Sequence, residues 1–418
     1  MVLSTRNIEL AIKDDTPHRW FRNVLHIWPK YTSMAPSIAI LGAGPSGLLL
    51  GRMLELANIA YVIFERDISG NESSSRAGTL DIHADSGQLA LQNAGLLDQF
   101  KKLARHDAHT ILADEKGKVY IRTSESDEAN EDRPEIDRKD LRALLLNSVP
   151  ANRVRWGLKV QHVQRDSDGL ISVHFADGNI ESGFRLVVGA DGAWSKARNL
   201  VTSAKPQYSG LHYLTTTIDP QNPFHSIAVS LVGKGNYIAF GGGKQIVSLK
   251  LGDGSYYVGV GLRLPENWSS EYAAVLEDPK AIRRLLLNDH FNDWPKLHTD
   301  LIEHSDGTFY AWPLYAMPTE SLSWRTVPGV TLIGDAAHVS TPFVGEGVNC
   351  AMTDSLQLAQ QIVKHGVDDL DRAVSGYEKL MFPRAIDLIS RSAKSGELFF
   401  APDAPRGWLK TFAGIDCD

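Results

Sequence analysis

Three groups of residues carry types and spacings that suit chemistry. Gly42, Gly44 and Gly47 form G-x-G-x-x-G directly after the apolar run Ile38–Leu41, and Pro45 and Ser46 open a helical pattern continued by Leu48, Leu49, Met53, Leu54 and Leu56. In such a unit the first glycine permits a tight turn and the second lets backbone approach a pyrophosphate. The third lets helix pack on strand. The helix start offers unpaired N–H groups and the positive end of its dipole to an anion. Glu65, with Arg66 beside it, closes the next apolar run, where a carboxylate can accept both hydroxyls of a ribose. Strand, glycine turn, helix, second strand and acid together point to a bound dinucleotide.

The second group lies in "LVVGADGAWSKARNLV", an apolar strand ending at Asp191-Gly192 before a turn with Ser195, Lys196 and Arg198. Alone it is a strand–turn–helix with an ordinary cap. The third is "GVTLIGDAAHVSTPFVGEGVNCAMTDSLQLAQQI". Gly334 and Asp335 follow its strand, and Pro342 precedes Gly345, Gly347, Val348 and Asn349, which open a long helix able to receive negative charge at its N-terminus. His338 reads as a packed or hydrogen-bonding histidine.

Other chemistries lack their residues. There is no G-x-S-x-G nucleophile elbow, no G-K-[ST] phosphate loop and no cysteine–histidine metal spacing, so no metal is expected. His106 and His109 form a close pair with no third ligand and read as surface. The net charge of −7 opposes a nucleic-acid surface. Two cysteines, Cys350 and Cys417, cannot build a disulfide framework, which favours a reducing, cytoplasmic setting. No apolar run reaches membrane-spanning length.

The elements that must position these residues imply an α/β fold. Residues 35–95, 127–208 and 292–370 read as a discontinuous Rossmann-like nucleotide-binding domain. Residues 96–126 and 209–291, where aromatic and β-branched residues alternate between glycine turns, read as an inserted antiparallel-sheet substrate domain. Residues 371–418 read as a C-terminal helical segment, with helices over Leu370–Leu380 and Ala385–Phe400. Residues 1–34 read as an extension, and Met34 as an alternative start.

From Ile38 to about Phe382, these segments in this order resemble the class A FAD-dependent monooxygenases of the para-hydroxybenzoate hydroxylase type. That family carries G-x-G-x-x-G with a following Glu, a D-G segment and G-D-A-A-H. Within it, "RAGTLDIHADSGQLALQNAGLL" and "PEIDRKDLRALLLNSV" look most like the tetracycline-inactivating enzymes and their fungal relatives.

The resemblance implies a non-covalent FAD, with Glu65 and Arg138 at its ribose and pyrophosphate end and Arg76, Ala77 and Gly78 along it. It also implies Asp335 on ribityl and pyrophosphate oxygens, and Asp191-Gly192 serving both FAD and NADPH. NADPH or NADH would dock transiently, in keeping with the lack of a second G-x-G-x-x-G. O₂ would add at the flavin C4a position, and the hydroperoxide would pass oxygen to an electron-rich ring. The middle segment, with Tyr213, Tyr237, Phe240, Tyr256 and Tyr257, suits a flat aromatic molecule. Leu214 and Tyr257 stand where the tetracycline enzymes carry polar side chains, so a phenolic or polycyclic, polyketide-like substrate is expected. No catalytic residue is assigned, and the chain is expected to be a monomer without nucleic-acid or membrane partners. A flavin oxidase or dehydrogenase of the same fold, or a non-catalytic flavoprotein, are the alternatives.

Overall fold

The computed structural model describes residues 37–70, 78–123 and 132–416. Arg76, Ala77 and the extension 1–34 lie outside these residues. Ile38–Leu41 and Tyr61–Phe64 are buried along their whole length, as strands covered on both faces by helices must be. They are the centre of a five-stranded parallel sheet in the order Val330–Leu332, Leu186–Gly189, Ile38–Leu41, Tyr61–Phe64, Val154–Arg155. This order brings the ends of the strands that lead into the three motifs side by side. The helix Pro45–Leu56 crosses between the two central strands, and the helix Gly347–His365 packs against it.

A seven-stranded sheet forms the second layer, in the order Asp306–Ala316, Gln207–Ile218, Tyr256–Arg263, Lys244–Lys250, Asn236–Gly241, Thr110–Asp114, Val119–Arg122. All its pairings are antiparallel except that between Asn236–Gly241 and Thr110–Asp114. Asp306–Ala316 therefore belongs to this sheet, although the sequence assigned 292–370 to the nucleotide domain. The boundary was illegible because this strand pairs with Gln207–Ile218, at separations running from Thr217 with Asp306 to Gln207 with Ala316, about a hundred positions away. A two-stranded ribbon, Thr79–Asp81 with Glu135–Asp137, joins the two bodies.

One helix, Leu370–Phe399, replaces the two expected at the C-terminal end, with Pro383 inside it. A proline in a helix interior costs about 3 kcal/mol. Here Pro383 faces solvent, while Tyr377, Met381, Ala385 and Leu388 bury the opposite side, and that packing overrides the break.

Candidate active site at the junction of the two sheets

The glycine turn is built to the limits of its backbone. Gly42 has φ +107°, and a Cβ there would lie 2.4 Å from the Ala190 carbonyl oxygen. A Cβ on Gly47 would lie 2.1 Å from the Gly42 oxygen. Around Gly44, by contrast, a Cβ would meet nothing within 4 Å. Gly44 caps the helix Pro45–Leu56 with no side-chain hydrogen bond, so no side chain takes the N–H groups that follow Pro45. Two charged side chains hold the intervening peptide: Ala43 N–H donates to Glu65 Oε2 at 2.6 Å, and Arg142 Nε donates to Ala43 O at 3.1 Å. Glu65 also accepts from Asp67 N–H at 3.0 Å, which leaves its other lone pairs for a ribose. Arg66 is exposed beside it. Arg142, which pairs with Asp67 at 2.8 Å, was missed from sequence because only the fold brings its helix to this turn.

The other two motifs close on this turn. Arg198 is buried and ties them together, donating to the carbonyls of Ala193 at 2.6 Å, Asp335 at 3.0 Å and Ala336 at 2.9 Å. Asp191 accepts from Lys196 N–H at 2.7 Å, and burial pushes its carboxyl up from the ordinary range. Gly192 has φ +80° with open space around it. Gly334 has φ +58°, and a Cβ there would come 3.0 Å from Ala351 and 3.2 Å from Ser46. Asp335 is exposed between buried neighbours, its carboxylate on the open side.

His338 is packed, as expected. It is buried and pairs with Asp354 at 2.7 Å. Burial alone would lower its pKa, yet the neighbouring Cys350 and Asp354 raise it well above the usual imidazole range. Asp354 also accepts from Gly334 N–H at 2.8 Å and from Arg384 at 2.6 Å, so it anchors the turn that presents Asp335.

Pro342 and Gly345 are exposed at the start of the helix Gly347–His365, with Val348 half-buried. Glu346, at the cap position, is drawn away into a two-pronged pair with Arg391 at 2.7 and 2.6 Å. The helix start is left without a side-chain cap. Asn349 points inward: its Oδ1 accepts from His83 N–H and its Nδ2 donates to Asp81 O, both at 2.9 Å. This clamp fastens the segment after Gly78 to the third motif. Arg138 begins the helix after the ribbon, its N–H donating to Gly78 O at 3.1 Å. Two uncapped helix starts, the close backbone approach that Gly44 permits and carboxylates at Glu65 and Asp335 fit a long group that is anionic at its centre and rich in hydroxyls.

The seven-stranded sheet turns one face towards this cluster, since Asn236 on it donates to Glu135 of the ribbon at 2.9 Å. Tyr257, Tyr213, Gln245 and Phe240 lie on that face by register, and Gly259 and Gly261 make room for the rings of Tyr257 and Phe400. A Cβ on Gly259 would stand 2.9 Å from the Tyr257 ring, and one on Gly261 would stand 2.8 Å from Phe400. Burial pushes the Tyr213 and Tyr257 phenols far up. Beside Phe343 a cleft of about 430 Å³ opens between Tyr208, Leu211, Met317 and the helix residues Ile389 and Ala393.

Two expected substrate residues are corrected. Leu214 and Tyr237 point to the opposite face, into the cluster that packs on the outer helices, where Tyr237 bonds His298 at 2.7 Å. Tyr256 is there too. Strand alternation decides this, and the sequence did not reveal which parity faced the cofactor side. His109 is likewise not on the surface: it is buried against Gly233 and Gly235. Gln245, Phe343 and the Gly259-x-Gly261 spacing were missed. Glycines at alternate positions of a strand were the available signal.

Residues 36–264 and 288–370 match the family described as FAD binding domain. Monooxygenase penA of Penicillium thymicola is 31% identical over 404 residues, covering 83% of this chain and 91% of the relative. The structure of Klebsiella pneumoniae HpxO with FAD and uric acid superposes with a TM-score of 0.75 at 23% identity, over 93% of this chain and 95% of the other. Tetracycline destructase Tet(51) gives a TM-score of 0.64 at 20% identity, over 87% and 90%. The glycine cradle, the Asp191-Gly192 turn and the Asp335 turn thus meet in the fold that these proteins share, and the chain belongs to the class A FAD-dependent monooxygenases.

Proposed function

We propose that the protein uses NADPH or NADH and O₂ to hydroxylate a phenolic or polycyclic, polyketide-like aromatic molecule. Bound FAD would supply the passage of electrons from the nicotinamide to O₂ and of one oxygen atom to the ring. The protein's residues bind and exclude water. Gly44 and the helix start behind it would take the pyrophosphate, Glu65 the ribose, Asp335 the ribityl hydroxyls, and Arg138 and Asp191-Gly192 the phosphates beside them. The uncapped N–H groups at Gly347 and Val348 would face the electron-rich edge of the ring system. Tyr213, Tyr257, Phe240 and Gln245 would cover the substrate in a dry chamber, which strengthens every polar contact inside it. Uric acid in HpxO is a flat heteroaromatic of comparable shape.

The observation that carries this reading is the aromatic face of the sheet, on which the Tyr213 ring meets Phe343, two residues before the Gly345 turn, with centroids 6.3 Å apart. A reactive oxygen donor needs such shelter, because water would otherwise divert it to hydrogen peroxide. NADPH oxidation should therefore be slow alone and quicken at least about tenfold with a fitting phenol, anthraquinone or polycyclic ligand. Labelled O₂ should add one oxygen atom to the product mass. Rapid ligand-independent NADPH consumption with stoichiometric peroxide would identify an oxidase instead, and no NADPH oxidation with any ligand would identify a non-catalytic flavoprotein.

A further inference from the structure

The inner face of the seven-stranded sheet presents polar groups of a single polarity. Gln245 is 2% exposed, and its amide oxygen accepts from the Tyr213 hydroxyl. What it offers the chamber is therefore the two hydrogens on Nε2, which have no partner among the described residues. Thr215 repeats the pattern. Its Oγ1 accepts from the Trp312 indole N–H at 2.9 Å, which leaves the hydroxyl proton to donate. The Tyr257 hydroxyl makes no hydrogen bond to a described residue either, and burial pushes that phenol far up, so it keeps its proton. Buried N–H and O–H groups in folded proteins are nearly always paired. Unpaired ones on a chamber wall mark where a ligand brings the acceptor.

The wall around these groups supplies no competing acceptor. The inward positions of residues 211–217, 245–249 and 257–263 hold leucine, valine, tyrosine, threonine, glutamine, glycine and arginine, with no carboxylate among them. The charge that acts on Tyr257 is cationic, that of Arg138. Gly259 places the groups relative to one another. The point that a Cβ would occupy there lies 3.2 Å from the Tyr257 hydroxyl oxygen and 3.4 Å from Tyr213 Cδ1. Tyr213 thus reaches from the Tyr257 hydroxyl, at one edge of its ring, to Gln245 at its own hydroxyl.

We propose that the aromatic substrate carries a carbonyl oxygen, as an aryl ketone, a quinone or a ring amide does, and that Gln245 Nε2 and Tyr257 Oη donate to it, with Tyr213 as the positioning residue. A carbonyl oxygen has two lone pairs and can take both donors. Tyr213 holds the amide oxygen of Gln245, so the amide cannot turn its own acceptor to the ligand. No bond is broken in this contact; it selects the molecule and fixes its orientation. The inference rests on the proposed seating of an aromatic substrate on this face and names the group by which the face reads it.

The test uses the FAD-loaded protein without NADPH and follows ligand binding by the change in flavin absorbance. The probes are 1-tetralone with tetralin, and 9-fluorenone with fluorene, pairs that differ only in the carbonyl. Gln245→Met keeps the length of the side chain and removes its donors. It should bind each ketone at least about tenfold more weakly than the wild type does, the scale of a lost hydrogen bond in a dry site, and each hydrocarbon equally well. Tyr257→Phe should weaken the ketones several-fold and again spare the hydrocarbons. Should Gln245→Met lose its FAD, Tyr257→Phe decides alone. Tyr213→Phe frees the amide to turn and should also weaken only the ketones; wild-type ketone binding in that variant overturns the role given to Tyr213. Unchanged ketone affinity in Gln245→Met and Tyr257→Phe overturns the proposal. So does an equal loss for ketone and hydrocarbon, or a wild type that binds no ketone. A protein that selects ketones through Gln245 but never incorporates labelled oxygen would instead fail the monooxygenase reading and leave this one standing.

Discussion

Gly47 sits so close to Gly42 that a Cβ on the former would lie 2.1 Å from the latter's carbonyl oxygen, whereas Gly44 between them has open space. Glycines of one motif thus answer to different constraints, and substitutions separate them. Gly47→Ala forces helix and strand apart and should cost about 3 kcal/mol of stability, read as a lowered denaturation midpoint. Gly44→Val should keep a folded circular dichroism spectrum and purify largely without FAD. Normal FAD occupancy in Gly44→Val would refute the phosphate-cradle reading.

Asp335 is exposed although its neighbours are buried, so its carboxylate contributes little to the fold. Asp335→Ala should leave the melting temperature of the apoprotein unchanged and weaken FAD binding roughly 10- to 100-fold, the scale of a hydrogen bond to a charged group. Equal FAD affinity in variant and wild type would remove Asp335 from the site.

Flavin should be held without a covalent bond. Cys350 is buried against His338 beneath the Asp335 turn, and His83 is committed to Asp81. Acid precipitation should leave all the flavin in the supernatant; flavin retained in the pellet would contradict this.

The buried pair His338–Asp354 makes stability depend on pH with a definite sign. His338 is raised in the folded state, so its contribution is complete below the unfolded value of about 6.5 and is lost as pH rises through the folded one. Asp354 is lowered: burial opposes its charge but His338 and Arg384 outweigh that. Its contribution is complete above about 3.9 and is lost as pH falls through the folded value. Denaturation midpoints should therefore decline on the alkaline side. Asp354→Asn should cost about 3–5 kcal/mol near neutrality and flatten that decline. A variant with the wild-type alkaline slope would show that other groups set it.

The two faces of the seven-stranded sheet should answer to different assays. Leu214 is fully buried on the outer face, so Leu214→Ala should cost about 2–5 kcal/mol with little change in the ligand concentration that half-saturates NADPH oxidation. Gly261→Val places bulk against Phe400 on the inner face and should raise that concentration several-fold at a smaller cost in stability. If Leu214→Ala weakened ligand binding more than Gly261→Val, the assignment of the faces would be reversed.

The sequence by itself determined what local physics can write. An apolar run, glycines at fixed offsets and a helix start specify the turn at Gly42–Gly47 and the acid at Glu65, because strand, turn and helix are adjacent in the chain. The same holds for the uncapped helix after Gly345. Tertiary structure decided what depends on pairing at a distance. Leu214, Tyr237 and Tyr257 read alike as apolar residues of strands, and only the register of the sheet turned Tyr257 inward and the other two outward. The membership of Asp306–Ala316 in the outer sheet, the continuity of the helix through Pro383, and the clamp of Asn349 on Asp81 and His83 likewise join residues far apart in the chain. Such contacts come from burial and hydrogen bonding across the fold, which no short window of sequence contains.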